Sequence, residues 1–206
     1  MIHYTVVVIS DAAIDKTEPT GRRERKKAET RARIADSARR LFLQHGYDAV
    51  GIRDVATEAD VAVTTLFAHF SSKEALIFEL DDVFEQRLVE AVTERDGGES
   101  ALSALRGEVE TMIRHCGSES ARPLWIMIDQ SPTLRAYEES MLARHAESLA
   151  AAVTADPTLG GSLDTNQALA RFVVTSYSVA RASDTPFATL DRIFPMVEAA
   201  WNAAHR

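Results

Sequence analysis

The chain has one cysteine, Cys116, in 206 residues, so no disulfide can close within it. Disulfide frameworks mark oxidising compartments, and this sequence offers no sign of secretion. Long hydrophobic runs are also missing. The longest apolar stretch near the start, residues 4–9 (YTVVVI), falls far short of the ~20 residues that span a bilayer. No basic start and A-x-A site frame it as a signal peptide. A soluble, cytoplasmic protein is expected, with no membrane partner. The sequence holds no phosphate-cradling glycine loop and no Ser/His/Asp arrangement, so nucleotide-handling and hydrolase motifs find no support. Lysine is scarce and does not occur beyond Lys73.

What charge there is lies unevenly. The net charge is −8, which read as a bulk number argues against a polyanionic partner. Residues 21–73 nevertheless hold 11 Lys and Arg against 7 Asp and Glu, and residues 74–206 hold 11 Arg against 21 acids. A cationic front and an acidic rear suggest that one end meets a polyanion and the other does not. The front opens with Arg22, Arg23, Arg25, Lys26 and Lys27. As an arm ahead of a helix, this run would lie along a nucleic-acid groove and release counterions.

Periodicity then predicts helices throughout. Ile34, Ala38, Leu41 and Phe42 share a face of a first helix from about residue 30, stopped at His45-Gly46. Ile52, Val55, Ala56 and Ala59 mark a short second helix with Gly51 at its N-cap, and Val63, Leu66 and Phe70 a third after a turn at Asp60. Helices this short hold only by sharing a core, which Phe42, Tyr47, Ile52, Val55, Leu66 and Phe70 would supply. Two short helices across a tight turn, behind a longer one, form a helix-turn-helix. Ser72 is read as the cap of a fourth helix that carries Leu76, Leu80, Val83, Phe84, Leu88 and Ala91. Further helices are expected over residues 100–115, 121–130, 133–155, 166–181 and 187–204, separated by Gly, Pro and Ser breakers. The fold class is all-α. Residues 1–21 are expected as a disordered leader with a strand-like run at 5–9, residues 22–72 as a three-helix DNA-binding domain with its basic arm, and residues 73–206 as a helical ligand-sensing and dimerisation domain.

Residues 34–76 resemble the DNA-binding domain of the TetR (tetracycline repressor) family. The matching string is Ile34-Ala35-Asp36-Ser37-Ala38, Leu41-Phe42, Gly46-Tyr47, Ile52-Arg53-Asp54-Val55-Ala56, Ala59-Asp60-Val61, Thr65-Leu66-Phe67, His69-Phe70 and Ser72-Lys73-Glu74-Ala75-Leu76. Three positions depart from the family pattern. Asp60 stands where Gly is common, and Asp tolerates the left-handed region better than most residues. Ala62 replaces the Ser that caps the third helix, at a cost of ~0.5–2 kcal/mol. Phe67 replaces a Tyr whose hydroxyl meets phosphate in similar proteins.

The resemblance implies a homodimer on a palindromic double-stranded DNA operator, released by a small-molecule inducer, with no cofactor and no enzymatic activity. Val63, Thr64, Phe67, Ala68 and His69 would face DNA. None of them reads guanine or adenine bidentately, as Arg, Lys, Asn or Gln does. Arg53, in the first turn of the second helix, is the candidate base reader, its alternative being a phosphate clamp or a surface partner of Asp54 or Glu58. Thr65, His69 and Lys73 are read as phosphate contacts, which position without specifying.

In the rear, Leu169, Phe172, Val173 and Ser176 and, in the last helix, Leu190, Phe194, Val197 and Trp201 form stripes read as a dimer interface. An intramolecular core is the alternative. Pro195 interrupts the last helix and would kink it. Phe84, Met112, His115, Trp125, Met127, Ile128, Met141, Phe172 and Tyr177 are the inducer-pocket candidates, although Met and aromatic residues at helical spacing are also plain core. His115 and the adjacent Cys116 point apart on a helix, so no metal site is expected there. Asp81, Asp82 and Glu85 resemble a magnesium motif of all-helical enzymes. No second cluster accompanies them, which makes that reading the lesser alternative, beside a protein-interaction module with weakened DNA binding.

Overall fold

The computed structural model describes residues 21–204. Apart from Gly21, the expected leader and its strand-like run lie outside the described residues. Those residues form nine α-helices and no strand: α1 (Arg22–His45), α2 (Ile52–Glu58), α3 (Val63–Phe67), α4 (Asp81–Thr93), α5 (Ala101–Cys116), α6 (Arg122–Gln130), α7 (Pro132–Ala155), α8 (Leu163–Arg181) and α9 (Pro186–Ala204). None is long and apolar enough to cross a membrane.

Helix α1 stops where the sequence predicts. Gly46 takes φ +84° and its amide donates to the Phe42 carbonyl at 2.8 Å. Its start differs from expectation. The basic run belongs to the helix rather than to a separate extended arm. Arg, Lys, Ala and Glu are good helix formers, and the Arg25 amide bonds Gly21 O at 2.9 Å. Apolar periodicity could not reveal this, because no described residue before Ile34 is buried. A second difference lies after Ser72. Its hydroxyl accepts from the Ala75 amide at 3.2 Å, yet only a 3-10 turn, Glu74–Leu76, follows, and α4 begins at Asp81. The break turns Phe78 inward to stack on Tyr137, with ring centroids 5.3 Å apart, and to meet the edge of Trp125 at 6.2 Å.

Ile34, Ala38, Phe42, Tyr47, Val55, Leu66 and Phe70 close the head's core, while Ile52 is only partly covered. In the body, α8 packs against α5, α7 and α9, and α4 against α5 and α7. Ser100, Ser131 and Ser162 cap α5, α7 and α8 through their hydroxyls. Head and body meet where α1 contacts α6 and the 3-10 turn.

The stripes read as a dimer interface require correction. Leu169, Val173, Ser176, Leu190, Phe194, Val197 and Trp201 are all buried within one chain, so they form its own core. Of that set only Phe172 faces outward, 49% exposed. The outward face of α8 carries Ala168, Phe172, Thr175 and Val179, and that of α9 carries Pro195, Met196, Ala199 and Ala203. Helix α9 runs through Pro195, which sits on this face.

Candidate nucleic-acid interface

The turn between α2 and α3 is built by backbone bonds. Asp60 adopts φ +50°, the left-handed region that Asp tolerates. Its amide bonds Thr57 O at 3.1 Å, and the Val61 amide bonds Ala56 O at 2.9 Å. Helix α3 starts at Ala62 without a side-chain cap. It is held by Leu66, wholly buried, and by the Phe70 ring beyond its end. Helix α2 is tied at its start by the Asp54 carboxylate, which accepts from the Gly51 amide at 2.7 Å.

The surface this creates presents Thr64, Phe67 and Ala68 to solvent, with Val63, Thr65 and His69 partly covered beside them. Phe67 is 50% exposed, a large apolar ring with no intramolecular use for half its area. Arg53 is exposed on α2. Neither proposed acid partner engages it: Asp54 serves Gly51, and Glu58 pairs with Arg40 at 2.8 Å. Arg22, Arg23, Arg25, Lys26 and Lys27 are exposed on the first two turns of α1, with Glu24 the acid of the first turn. Cations at the positive end of a helix dipole destabilise it, an imbalance that an approaching phosphate backbone relieves.

A family model described as "Bacterial regulatory proteins, tetR family" matches residues 34–80. The HTH-type transcriptional repressor KstR of Mycolicibacterium smegmatis is 43% identical over 68 residues, 32% of each chain. The HTH-type transcriptional regulator TcmR of Streptomyces glaucescens is 30% identical over 93 residues, covering 45% of this chain and 41% of that protein. The chain thus spans less than half the length of either relative. A crystal structure of a TetR-family regulator from Streptomyces coelicolor shares the fold with a TM-score of 0.61 at 18% identity, covering 85% of this chain and 96% of that one. Residues 34–80 are thus similar to the TetR family's DNA-binding head, and the whole chain shares the fold of TetR-family structures.

Within this TetR-like head, Lys73 does not stand free for phosphate as the sequence suggests. Its ammonium donates to the Tyr47 carbonyl at 2.6 Å and lies 4.0 Å from the centre of the Tyr47 ring. The Tyr47 hydroxyl in turn donates to Glu74 at 2.6 Å. Lys73 therefore clamps the loop after α1 to the segment leading into the body. His69 is constrained as well: Arg31 takes its carbonyl, and its Nδ1 is buried without a partner. Burial, followed by the charges of Lys27 and Arg31, lowers its pKa and favours the neutral ring.

In the body, Phe84, Met112, Ile128, Met141 and Tyr177 are buried, and His115, Trp125 and Met127 are partly covered. Phe172 points away from the interior, which removes it from any pocket inside the protomer. Two open clefts of roughly 500 Å³ are lined by other residues, one between α4 and α5 and one between head and body.

Sequence reasoning missed a buried polar cluster beside these residues. The Arg181 guanidinium pairs with Glu138 at 3.0 Å and Asp129 at 3.1 Å, and lies 4.5 Å over the Trp125 ring. Tyr177 meets the Cys116 sulfur at 3.2 Å. The local hint is that Glu138 falls four residues after Leu134 and three before Met141, on the buried face of α7. The magnesium-enzyme alternative loses its geometry, because the Asp82 side chain is 87% exposed and turned toward Arg31.

Proposed function

We propose that this chain is a homodimeric TetR-family transcriptional repressor that grips a palindromic DNA site and releases it when a small apolar or amphipathic molecule enters its body. The observation that carries the reading is the exposure of the α1 cations, of Arg53 and of Thr64, Phe67 and Ala68 in a cationic front segment, ahead of a strongly acidic segment at residues 74–206. Phosphate contacts from the arm give affinity. Arg53, Thr64 and the apolar Val63, Phe67 and Ala68 meet base edges and sugars. KstR, similar over the head, carries the name of a repressor.

Dimerisation is supported by the outward face of α8 and α9, where Phe172, Val179 and Met196 are exposed. Exposed apolar side chains gathered on one helix pair suit an interaction site, and a two-fold dimer pairs such a face with its own copy. An inducer acts by binding unequally to two head spacings.

Selection of bound fragments from a random duplex pool tests the reading. The expected product is an inverted repeat with half-sites about 10 bp apart or a multiple of that, retained at low salt and lost as salt rises. Recovery of no enriched sequence, with no retardation of any duplex at low salt, would overturn it.

A further inference from the structure

Helix α4 and helix α7 bring together three metal-ligating side chains that the DNA reading does not use. Asp81 and Glu85 lie one turn apart on α4, and His145 faces them from α7. One ligand atom from each comes within 4.8 Å of the others. His145 Nε2 is 2.6 Å from Asp81 Oδ1. The imidazole is wholly buried, and its Nδ1 has no hydrogen-bond partner. Nothing on that second nitrogen fixes the tautomer, so only the bond to Asp81 holds a proton on Nε2.

Charge gives an independent argument. Two carboxylates share this corner, but only Asp81 has a cationic partner of fixed charge, Arg144 at 2.7 Å. Glu85 accepts from the Ser148 hydroxyl and forms no salt bridge among the described residues. The corner is one positive charge short, and Arg144, which also bonds Tyr137, is 45% exposed, so solvent can take its charge if Asp81 lets go. An entry path exists as well: Asp81 and Arg144 line the roughly 500 Å³ cleft between head and body.

We propose that Asp81, Glu85 and His145 bind one divalent first-row transition metal ion, Zn²⁺ or a chemical neighbour. One imidazole with two carboxylates suits Zn²⁺, Co²⁺ or Ni²⁺ better than Mg²⁺, which favours an all-oxygen shell. Three protein ligands leave a fourth position for water. The ion displaces Arg144 from Asp81 and binds His145 through Nε2 as the neutral tautomer, the ring's one proton passing to Nδ1, and it fastens the first turn of α4 to α7. That turn also faces the head, since Asp82 lies 3.9 Å from Arg31.

The untagged full-length chain, stripped with chelator and titrated with Co²⁺ and then Zn²⁺, tests the site without any DNA. One equivalent per chain is expected, with visible d–d absorption that Zn²⁺ abolishes. Glu85→Gln and Asp81→Asn should weaken uptake by about 100-fold or more, beyond the loss usual for outer contacts. Arg144→Gln should strengthen it by removing the competing cation. Circular dichroism of Glu85→Gln checks that the helices persist. Wild-type protein that takes up neither ion, or a folded Glu85→Gln chain that binds as tightly as wild type, would overturn the site.

Discussion

The guanidinium of Arg31, on α1, donates to the backbone carbonyl of His69, two residues past the end of α3. The same group lies 4.3 Å over the Phe70 ring and reaches Glu79 O at 3.4 Å. One side chain therefore joins the long helix of the head, the exit of α3 and the approach to α4. A charged donor on a carbonyl is worth more than a neutral one.

Arg31→Ala should for this reason lower stability by about 1–2 kcal/mol, discounted because the side chain is a third exposed. Urea denaturation measures it. An unchanged midpoint would show that the three segments are held together by other contacts.

Arg53→Ala separates two roles for an exposed arginine. As a base reader it contributes ~1–3 kcal/mol of discrimination at one base pair per half-site. Selected sites should then lose preference at that pair and keep the rest. Uniform weakening on every sequence, with the salt slope reduced by about 1, would make it a phosphate clamp instead.

Neighbouring positions on α9 make opposite predictions. Met196 is 70% exposed on the outward face, whereas Val197 is 5% exposed in the chain's own core. Met196→Arg should yield a folded monomer by light scattering, since it places a charge in the proposed pairing face. Val197→Arg should unfold the body, because an unpaired charge cannot be buried. A dimeric Met196→Arg chain would move the interface elsewhere.

Helix existence was legible because apolar periodicity reports burial, and the Asp60 turn because few residues accept its backbone. Faces were less legible. The stripe of Leu190, Phe194, Val197 and Trp201 is what any helix needs to pack on its own neighbours, so strength of pattern pointed to the core and away from the partner. The proposed pairing face is built from weaker signals such as Thr175, Ala199 and Met196. Polar clusters such as Asp81 with His145 join residues 64 positions apart, a proximity no local pattern encodes. Lys73 was misread for a related reason. Its carbonyl acceptor at Tyr47 belongs to the backbone, which carries no residue-specific signal.

Cys116 should be chemically silent in the native state. Burial first of all pushes its thiol up to about 12, and the thiolate is the reactive form. Alkylation at neutral pH should proceed only as the body opens, and rise sharply in denaturant. Fast labelling of folded protein would mean that the contact with Tyr177 breaks readily.

The Tyr47–Glu74 bond predicts a pH signature for the clamp between head and body. Burial raises the Glu74 carboxyl, but the hydrogen bonds from Tyr47, its own backbone and Ser72, with the charge of Lys73, outweigh burial and hold it below its ordinary 4.5. A depressed carboxyl contributes stability above its unfolded value and loses it as pH falls through the folded one. The Tyr47 hydroxyl is raised above its ordinary 10.0, by burial first and then by Glu74, so its share persists until pH climbs past that value. Tyr47→Phe removes the bond while keeping the ring under Lys73. The stability gap between the two proteins should be widest from pH 5 to 9, about 1–2 kcal/mol for a bond to a charged acceptor. It should narrow below the ordinary carboxyl pKa, once Glu74 takes up a proton. Denaturant titrations across that range measure the gap, and one that stays constant down to pH 3 would mean that the hydroxyl does not hold Glu74 ionised.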